Sequence, residues 1–195
     1  RRTIDFVELT LSAIGALGTD EEPTPLAFAL DFRLQHLLLD EFQDTSISKM
    51  LLLERLTADW TPGDGRTVFA VGDPMQSIYS FQEADVSLFE RCRRHGLGRL
   101  PLEFLQLTAN FRSSSNLIDW FNATFPGVMA AGENAATGAV AYSPSTAQKG
   151  PLDGEPVACH AVRRDQEPAV VADLIERAEG QVAVLVRRRV DAHGI

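Results

Sequence analysis

Lysine is almost missing from this chain. Lys49 and Lys149 are the only two among 195 residues, and acids outnumber cations, leaving a net charge of −9. That balance excludes a generic nucleic-acid coat, which needs a broad excess of positive charge to hold phosphates, but it is compatible with a local basic stripe. Cysteine is equally scarce. Cys92 and Cys159 have no metal-ligand spacing, and the expectation is free thiols in a reducing compartment. The four histidines are scattered, and His36 has no partner at zinc-ligand spacing. No apolar run approaches the roughly 20 residues that span a bilayer, and no signal-peptide pattern opens the chain, so the expected location is cytoplasmic. Internal repeats are absent. With 45% hydrophobic residues the chain can bury a sizeable core, and one domain plus part of another is the natural count.

Against that background, His36-Leu37-Leu38-Leu39 followed by Asp40-Glu41-Phe42-Gln43-Asp44-Thr45-Ser46 stands out. Three leucines without alternation predict a strand covered on both faces, and the carboxyl ends of such strands are where open α/β sheets place ligands. Asp40 can then hold a hydrated Mg²⁺ while Glu41 orients or deprotonates water. An Asp-Glu pair that merely opens a helix is the competing reading. A second segment has the same grammar: Thr67-Val68-Phe69-Ala70-Val71 ends in the turn Gly72-Asp73-Pro74, and Met75-Gln76-Ser77-Ile78-Tyr79-Ser80-Phe81 follows. Gln76 can reach a terminal phosphate or its attacking water. Tyr79 and Phe81 can stack on bases, or they can be ordinary core aromatics. In the third segment, Phe104-Leu105-Gln106-Leu107 reads as a strand, and Thr108-Ala109-Asn110-Phe111-Arg112 leads into a Ser-rich helix start. There Arg112 is placed to pair bidentately with phosphate oxygens, or to be a solvated surface charge.

Leu-Leu-Leu-Asp-Glu-Phe-Gln-Asp-Thr, then Val-Gly-Asp-Pro-Met-Gln-Ser-Ile-Tyr-Ser-Phe, then Leu-Thr-Ala-Asn-Phe-Arg-Ser resemble, in order and spacing, motifs II, III and IV of the UvrD/Rep/RecB family of superfamily-one DNA helicases. The match runs from about Asp31 to Phe121, with weaker echoes at Ile4–Leu9 and Val182–Arg187. The resemblance implies a parallel-sheet, RecA-like α/β motor domain with the start of a second such domain. It implies ATP and Mg²⁺ as cofactors, single-stranded and duplex DNA as partners, and a helicase acting in repair or recombination. The remaining helicase domains would accompany it, and a nuclease domain or partner nuclease is compatible with the same resemblance. On matching positions it makes Asp40 the Mg²⁺ ligand, Glu41 the base, Gln76 the γ-phosphate sensor and Arg112 an arginine finger. Tyr79 and Phe81 become the platform for single-stranded bases. Sensor and stacking rings would share one short loop, so losing the γ-phosphate would shift the bases.

Two departures matter. Where many family members carry Arg and Gly before Ala, this chain has Gln82-Glu83-Ala84, which removes a cation from the presumed DNA track. The phosphate loop Gly-x-x-x-x-Gly-Lys-Thr/Ser is also missing, since neither lysine lies in a Gly-rich turn. The expectation is therefore an internal piece of a longer protein, unable to hydrolyse ATP alone. Arg91-Cys92-Arg93-Arg94-His95 and Arg187-Arg188-Arg189 are candidates for a basic groove wall, or else solvated ends of elements.

The organisation expected is residues 1–125 as the later part of a first RecA-like domain, 126–156 as a crossover rich in Gly, Ala, Ser and Pro, and 157–195 as the beginning of a second. Helices are predicted for Phe6–Leu17, for the Met50–Leu56 region, for Asp85–His95 and for Glu167–Ala178, with further strands at Pro156–Val162 and Gln181–Arg187. Two other functions are compatible with the residues. One is a two-metal phosphodiesterase built on Asp40, Glu41, Asp44 and Asp73, although it gives Gln76 and Arg112 nothing to do. The other is an interaction module that keeps a motor fold without its chemistry.

Overall fold

The computed structural model describes residues 5–19, 21–77, 85–134 and 137–192. The chain divides into two compact units, Arg1–Leu152 and Asp153–Ile195. The first is mixed α/β, with parallel strand pairing.

It begins with α1 (Phe6–Leu17), capped by Asp5, whose carboxylate accepts the Glu8 N–H at 2.7 Å. Next comes α2 (Pro25–Arg33), a helix absent from the expectations drawn from sequence. Its signals are local: Thr24 Oγ1 accepts the Ala27 N–H at 3.2 Å, and Pro25 occupies the first turn, where its missing N–H costs nothing. Strand β1 (His36–Leu39) leads through the acid turn into α3 (Ile47–Leu56), capped by Ser46. Strand β2 (Thr67–Ala70) pairs parallel with β1 in the register His36↔Thr67 to Leu39↔Ala70. The turn that delivers β2 is tied by Asp64, which accepts the N–H groups of Thr61 and Arg66, each at 2.8 Å. Those two donors come first among the causes that lower its carboxyl from 3.8 to about 2.

After β2 the chain reaches α4 (Val86–His95), where the Asp85 carboxylate accepts the Ser87 N–H. Gly96 closes this helix at φ +83; a Cβ there would lie 2.0 Å from Leu100 O, so only glycine fits. The core gathers Phe42, Met50, Leu88, Cys92 and Leu97, with Leu39, Val68 and Ala70 packed against it from the sheet. Helices α3 and α4 thus cover one face of the pair. The other face is open among the described residues: Leu38 is 76% exposed and its register partner Phe69 59%. The expectation of a strand covered on both faces is corrected in that respect, because no described element lies over Leu38 and Phe69.

The predicted strand at Phe104–Leu107 does not form. Residues 101–108 have no regular structure, and Leu105 and Leu107 are exposed. A ladder forms just afterwards, where β3 (Ala109–Asn110) pairs parallel with β4 (Thr146–Ala147). Between them runs α5 (Ser115–Thr124). Tyr142 OH donates to Asn122 Oδ1 at 2.8 Å, and its ring stacks on Phe125, so the polar segment before β4 folds back along α5.

The second unit contains α6 (Glu167–Arg177), with Arg177 paired to Asp173 one turn back. Pro156–Val162 and Gln181–Arg187, predicted as strands, carry no ladder among the described residues. Apolar alternation suits a segment to a sheet, but only a neighbouring strand supplies the hydrogen bonds that make it one.

Candidate active site

The acid pair sits where β1 stops. Beyond Leu39 the β1–β2 ladder continues for one more step: the Val71 N–H donates to Leu39 O at 2.8 Å, and the Phe42 N–H donates to Val71 O at 2.9 Å. Between those two fixed points the chain has Asp40 and Glu41 in which to turn. Asp40 Oδ1 accepts the Glu41 N–H at 2.9 Å. Glu41 then adopts φ +49, ψ +44, and is the only non-glycine residue with positive φ among those described. A left-handed backbone at an ordinary L residue costs about 1–2 kcal/mol. It is held here by its neighbour: Phe42 is buried, 6.1 Å from the ring of Phe89, and locks the turn to the core. Both carboxylates remain exposed at the carboxyl end of β1.

Next to them lies a residue that sequence reasoning passed over. Gln43 is 1% exposed. Its Nε2 donates to Glu41 Oε2 at 2.7 Å, and its Oε1 accepts the Asp73 N–H at 3.0 Å. The orientation of the amide follows from its partners, a carboxylate on one side and a backbone donor on the other. Gly72 permits the approach: a Cβ there would lie 2.7 Å from Gln43 Oε1, 3.0 Å from the Gln43 backbone N and 3.1 Å from that of Phe42. Asp73 continues the path. Its Oδ1 accepts the Met75 N–H at 3.0 Å, which closes the single turn Pro74–Gln76, and its Oδ2 accepts Gln76 Nε2 at 2.8 Å. Glu41, Gln43, Asp73 and Gln76 therefore form one hydrogen-bonded chain across the ends of β1 and β2. The available signal was an amide two residues beyond an acid pair, but nothing local announces that it will be buried.

Arg112 stands on a different element, just past β3. Asn110 Oδ1 accepts the N–H groups of Arg112 (3.0 Å) and Ser113 (2.9 Å), and Arg112 O accepts Lys149 Nζ at 3.1 Å. Its side chain is exposed and makes no ion pair among the described residues. Three residues before β4, the Ser143 N–H donates to Met75 Sδ in the Gln76 turn at 3.3 Å. Tyr79 and Phe81, the expected stacking platform, lie outside the described residues, as do Gln82 and Glu83.

No group of three or more His, Cys, Asp or Glu side chains converges as a metal site among the described residues. A two-metal phosphodiesterase needs several carboxylates around ions about 3.5–4 Å apart, so the geometry gives that reading no support. Asp44 does not join the exposed pair; its Oδ1 is buried without a hydrogen-bond partner among the described residues. The arginines near the end of α4 are engaged by acids: Arg91 pairs with Glu54, and Arg93 with Glu90 and Glu133. A cavity of about 470 Å³ lies elsewhere, lined by residues that include Leu17, Phe28, Asp31, Glu54 and Arg99, and takes in none of the acid-pair network.

The UvrD/REP helicase N-terminal domain, as a family model, matches residues 1–95, the span that holds Asp40, Glu41, Gln43, Asp73 and Gln76. Residues 1–95 belong to the UvrD/REP helicase N-terminal domain family. It is 30% identical over 198 residues to an ATP-dependent helicase/nuclease subunit from Latilactobacillus sakei, a match that takes in 96% of this chain and 21% of that protein. The protein of the same description from Desulfitobacterium hafniense is 32% identical over 139 residues, covering 68% of this chain and 10% of its own length. The exonuclease/helicase subunit RexA of Lactococcus lactis is 35% identical over 94 residues, 48% of this chain and 7% of that protein. The chain thus spans about a fifth or less of the length of these relatives.

Proposed function

We propose that this chain is part of the motor of an ATP-dependent DNA helicase, which couples ATP hydrolysis to translocation on single-stranded DNA and to duplex unwinding in repair or recombination. In this reading the fold is RecA-like, residues 1–125 are the later part of the first motor domain, 126–156 the crossover and 157–195 the beginning of the second. The full-length protein is cytoplasmic, binds single-stranded and duplex DNA through this and its other helicase domains, and carries or meets a nuclease, as the names of its relatives suggest. The observation that supports the reading best is the hydrogen-bonded path from Glu41 through Gln43 and Asp73 to Gln76. It ties the residue proposed as base to the residue proposed as phosphate sensor, as an ATP-driven motor requires.

The donor set suits Mg²⁺ and ATP. Asp40 offers an exposed carboxylate, a hard oxygen ligand, and Mg²⁺ is ordinarily held by one or two carboxylates with waters and phosphates completing its shell. Bound Mg²⁺–ATP supplies the γ-phosphoryl group and neutralises charge on its oxygens. The chain's own residues do the remaining work. Glu41, with Oε2 occupied by Gln43, retains Oε1 to accept a proton from water. Gln76 gives one Nε2 hydrogen to Asp73 and keeps the other for a phosphate oxygen. Arg112 brings a guanidinium able to pair with phosphate oxygens. Tyr79 and Phe81, immediately after the sensor turn, offer stacking faces to bases.

Glu41→Gln in the full-length protein tests this reading. It keeps the shape and removes the base, so DNA-stimulated ATP turnover should fall about 10²–10⁴-fold. Nucleotide affinity measured by titration with a fluorescent ATP analogue should stay within about two-fold. Turnover equal to that of the parent would overturn the assignment of Glu41.

A further inference from the structure

We infer that Gln43 is a positioning residue for the reaction: it holds the Glu41 carboxylate in its reactive orientation and transmits the position of the Gln76 turn to it. The inference rests on the reading of Glu41 as base. Its grounds are geometric. Gln43 is buried at 1% exposure, although nothing in the apolar core requires an amide there. A buried amide persists where its donors and acceptors are matched, and both ends of this one are. One end grips an oxygen of Glu41 at 2.7 Å, and the other accepts the N–H of Asp73 at 3.0 Å. Asp73 in turn grips Gln76 at 2.8 Å.

The arrangement has directional consequences. Glu41 sits on a left-handed backbone at a solvent-exposed turn, where its long side chain would otherwise be free to sample several rotamers. The donor from Gln43 fixes Oε2, so the remaining oxygen is the one that receives the proton. Displacement of the Gly72–Asp73 backbone pulls on Gln43 Oε1 and therefore on the orientation of the carboxylate. Gly72 leaves no slack in this linkage, because the amide oxygen already occupies the space a Cβ would take. A movement of Gln76 toward or away from a phosphate thus reaches the base through two hydrogen-bonded side chains, Asp73 and Gln43.

Gln43→Glu separates the two arms. An isosteric carboxylate still accepts the Asp73 N–H, but it turns an oxygen toward Glu41 where Gln43 presented a donor. In the full-length protein, kcat for DNA-stimulated ATP hydrolysis should fall roughly 10- to 100-fold, the loss expected for one hydrogen bond to a charged group. KM for ATP and nucleotide affinity should stay within about two-fold. The double variant Glu41→Gln/Gln43→Glu reverses donor and acceptor. It should recover any thermal midpoint lost in Gln43→Glu while remaining as inactive as Glu41→Gln alone, since the contact is restored without the base.

The inference is overturned if Gln43→Glu keeps kcat, if it loses kcat and nucleotide affinity together, or if the double variant is less stable than Gln43→Glu. Should Gln43→Glu fail to fold, a folded double variant supports the pairing and an unfolded one refutes it. An active Glu41→Gln would instead remove the base on which the inference stands. An inactive Glu41→Gln beside a fully active Gln43→Glu would sink the inference alone.

Discussion

Gly72→Ala is the sharpest structural perturbation of the site, because it adds a single carbon at a place where the geometry says there is no room. The new Cβ would meet Gln43 Oε1 at 2.7 Å and two backbone nitrogens at 3.0 and 3.1 Å, all below ordinary contact. The amide oxygen belongs to a side chain and can retreat, whereas the nitrogens belong to the acid turn and move only with it. Overpacking of this kind costs about 1–3 kcal/mol. Withdrawal of Gln43 Oε1 also leaves the Asp73 N–H without its acceptor, about another 1 kcal/mol. Gly72→Ala should therefore destabilise the first unit by about 2–4 kcal/mol. The assay is urea unfolding of the 195-residue chain followed by tryptophan emission, since Trp60 and Trp120 both lie in that unit. Gly15→Ala is the matched control. Gly15 lies inside α1 with nothing within 4 Å of a Cβ, so alanine should stabilise by about 0.5–1 kcal/mol through helix propensity alone. A neutral Gly72→Ala, or two alanines with shifts of the same sign, would refute the steric argument.

Two further outcomes follow. Asp64 has its carboxyl lowered from 3.8 to about 2, mainly by the N–H groups of Thr61 and Arg66. A depressed acid contributes stability above its unfolded value and loses it as pH falls toward its folded one. The urea midpoint of the parent should therefore drop toward that of Asp64→Asn between about pH 4 and 2, and a constant gap across that window would count against the turn's role. The 195-residue polypeptide, which contains no phosphate loop, should show no DNA-stimulated phosphate release in a coupled assay, and robust release would contradict the proposal that it needs further motor sequence.

The parts of the fold legible in the sequence were those whose signal is local. Helices Phe6–Leu17 and Asp85–His95 form where expected, capped by Asp5 and Asp85, α3 starts at Ile47, three residues ahead of the expected Met50–Leu56 region, and Leu37–Leu39 and Val68–Ala70 become the parallel pair. Helix α2 had its signal too, in Thr24 and Pro25, but its apolar residues lack a clean stripe, and Phe28 and Phe32 point outward. What resisted reading was pairing. Phe104–Leu107 has strand composition and no ladder, whereas Ala109–Asn110 and Thr146–Ala147 form one between segments distant in the chain, with too few residues for any periodicity. The same holds at the site. The acid pair and Gln76 were visible because each follows a recognisable strand, while Gln43 depends on Gly72 and Asp73, which arrive only with the next strand.

The two thiols of this chain differ sharply in access. Cys159 is open to solvent, while Cys92 is sealed 3.8 Å from Met50 Sδ, where burial raises its pKa above the usual thiol range. A maleimide will therefore tag the second unit at once and the first only when α3 and α4 part. Counting tags by mass over time turns an unmodified polypeptide into a chronometer of core opening, with a built-in reference for reagent potency.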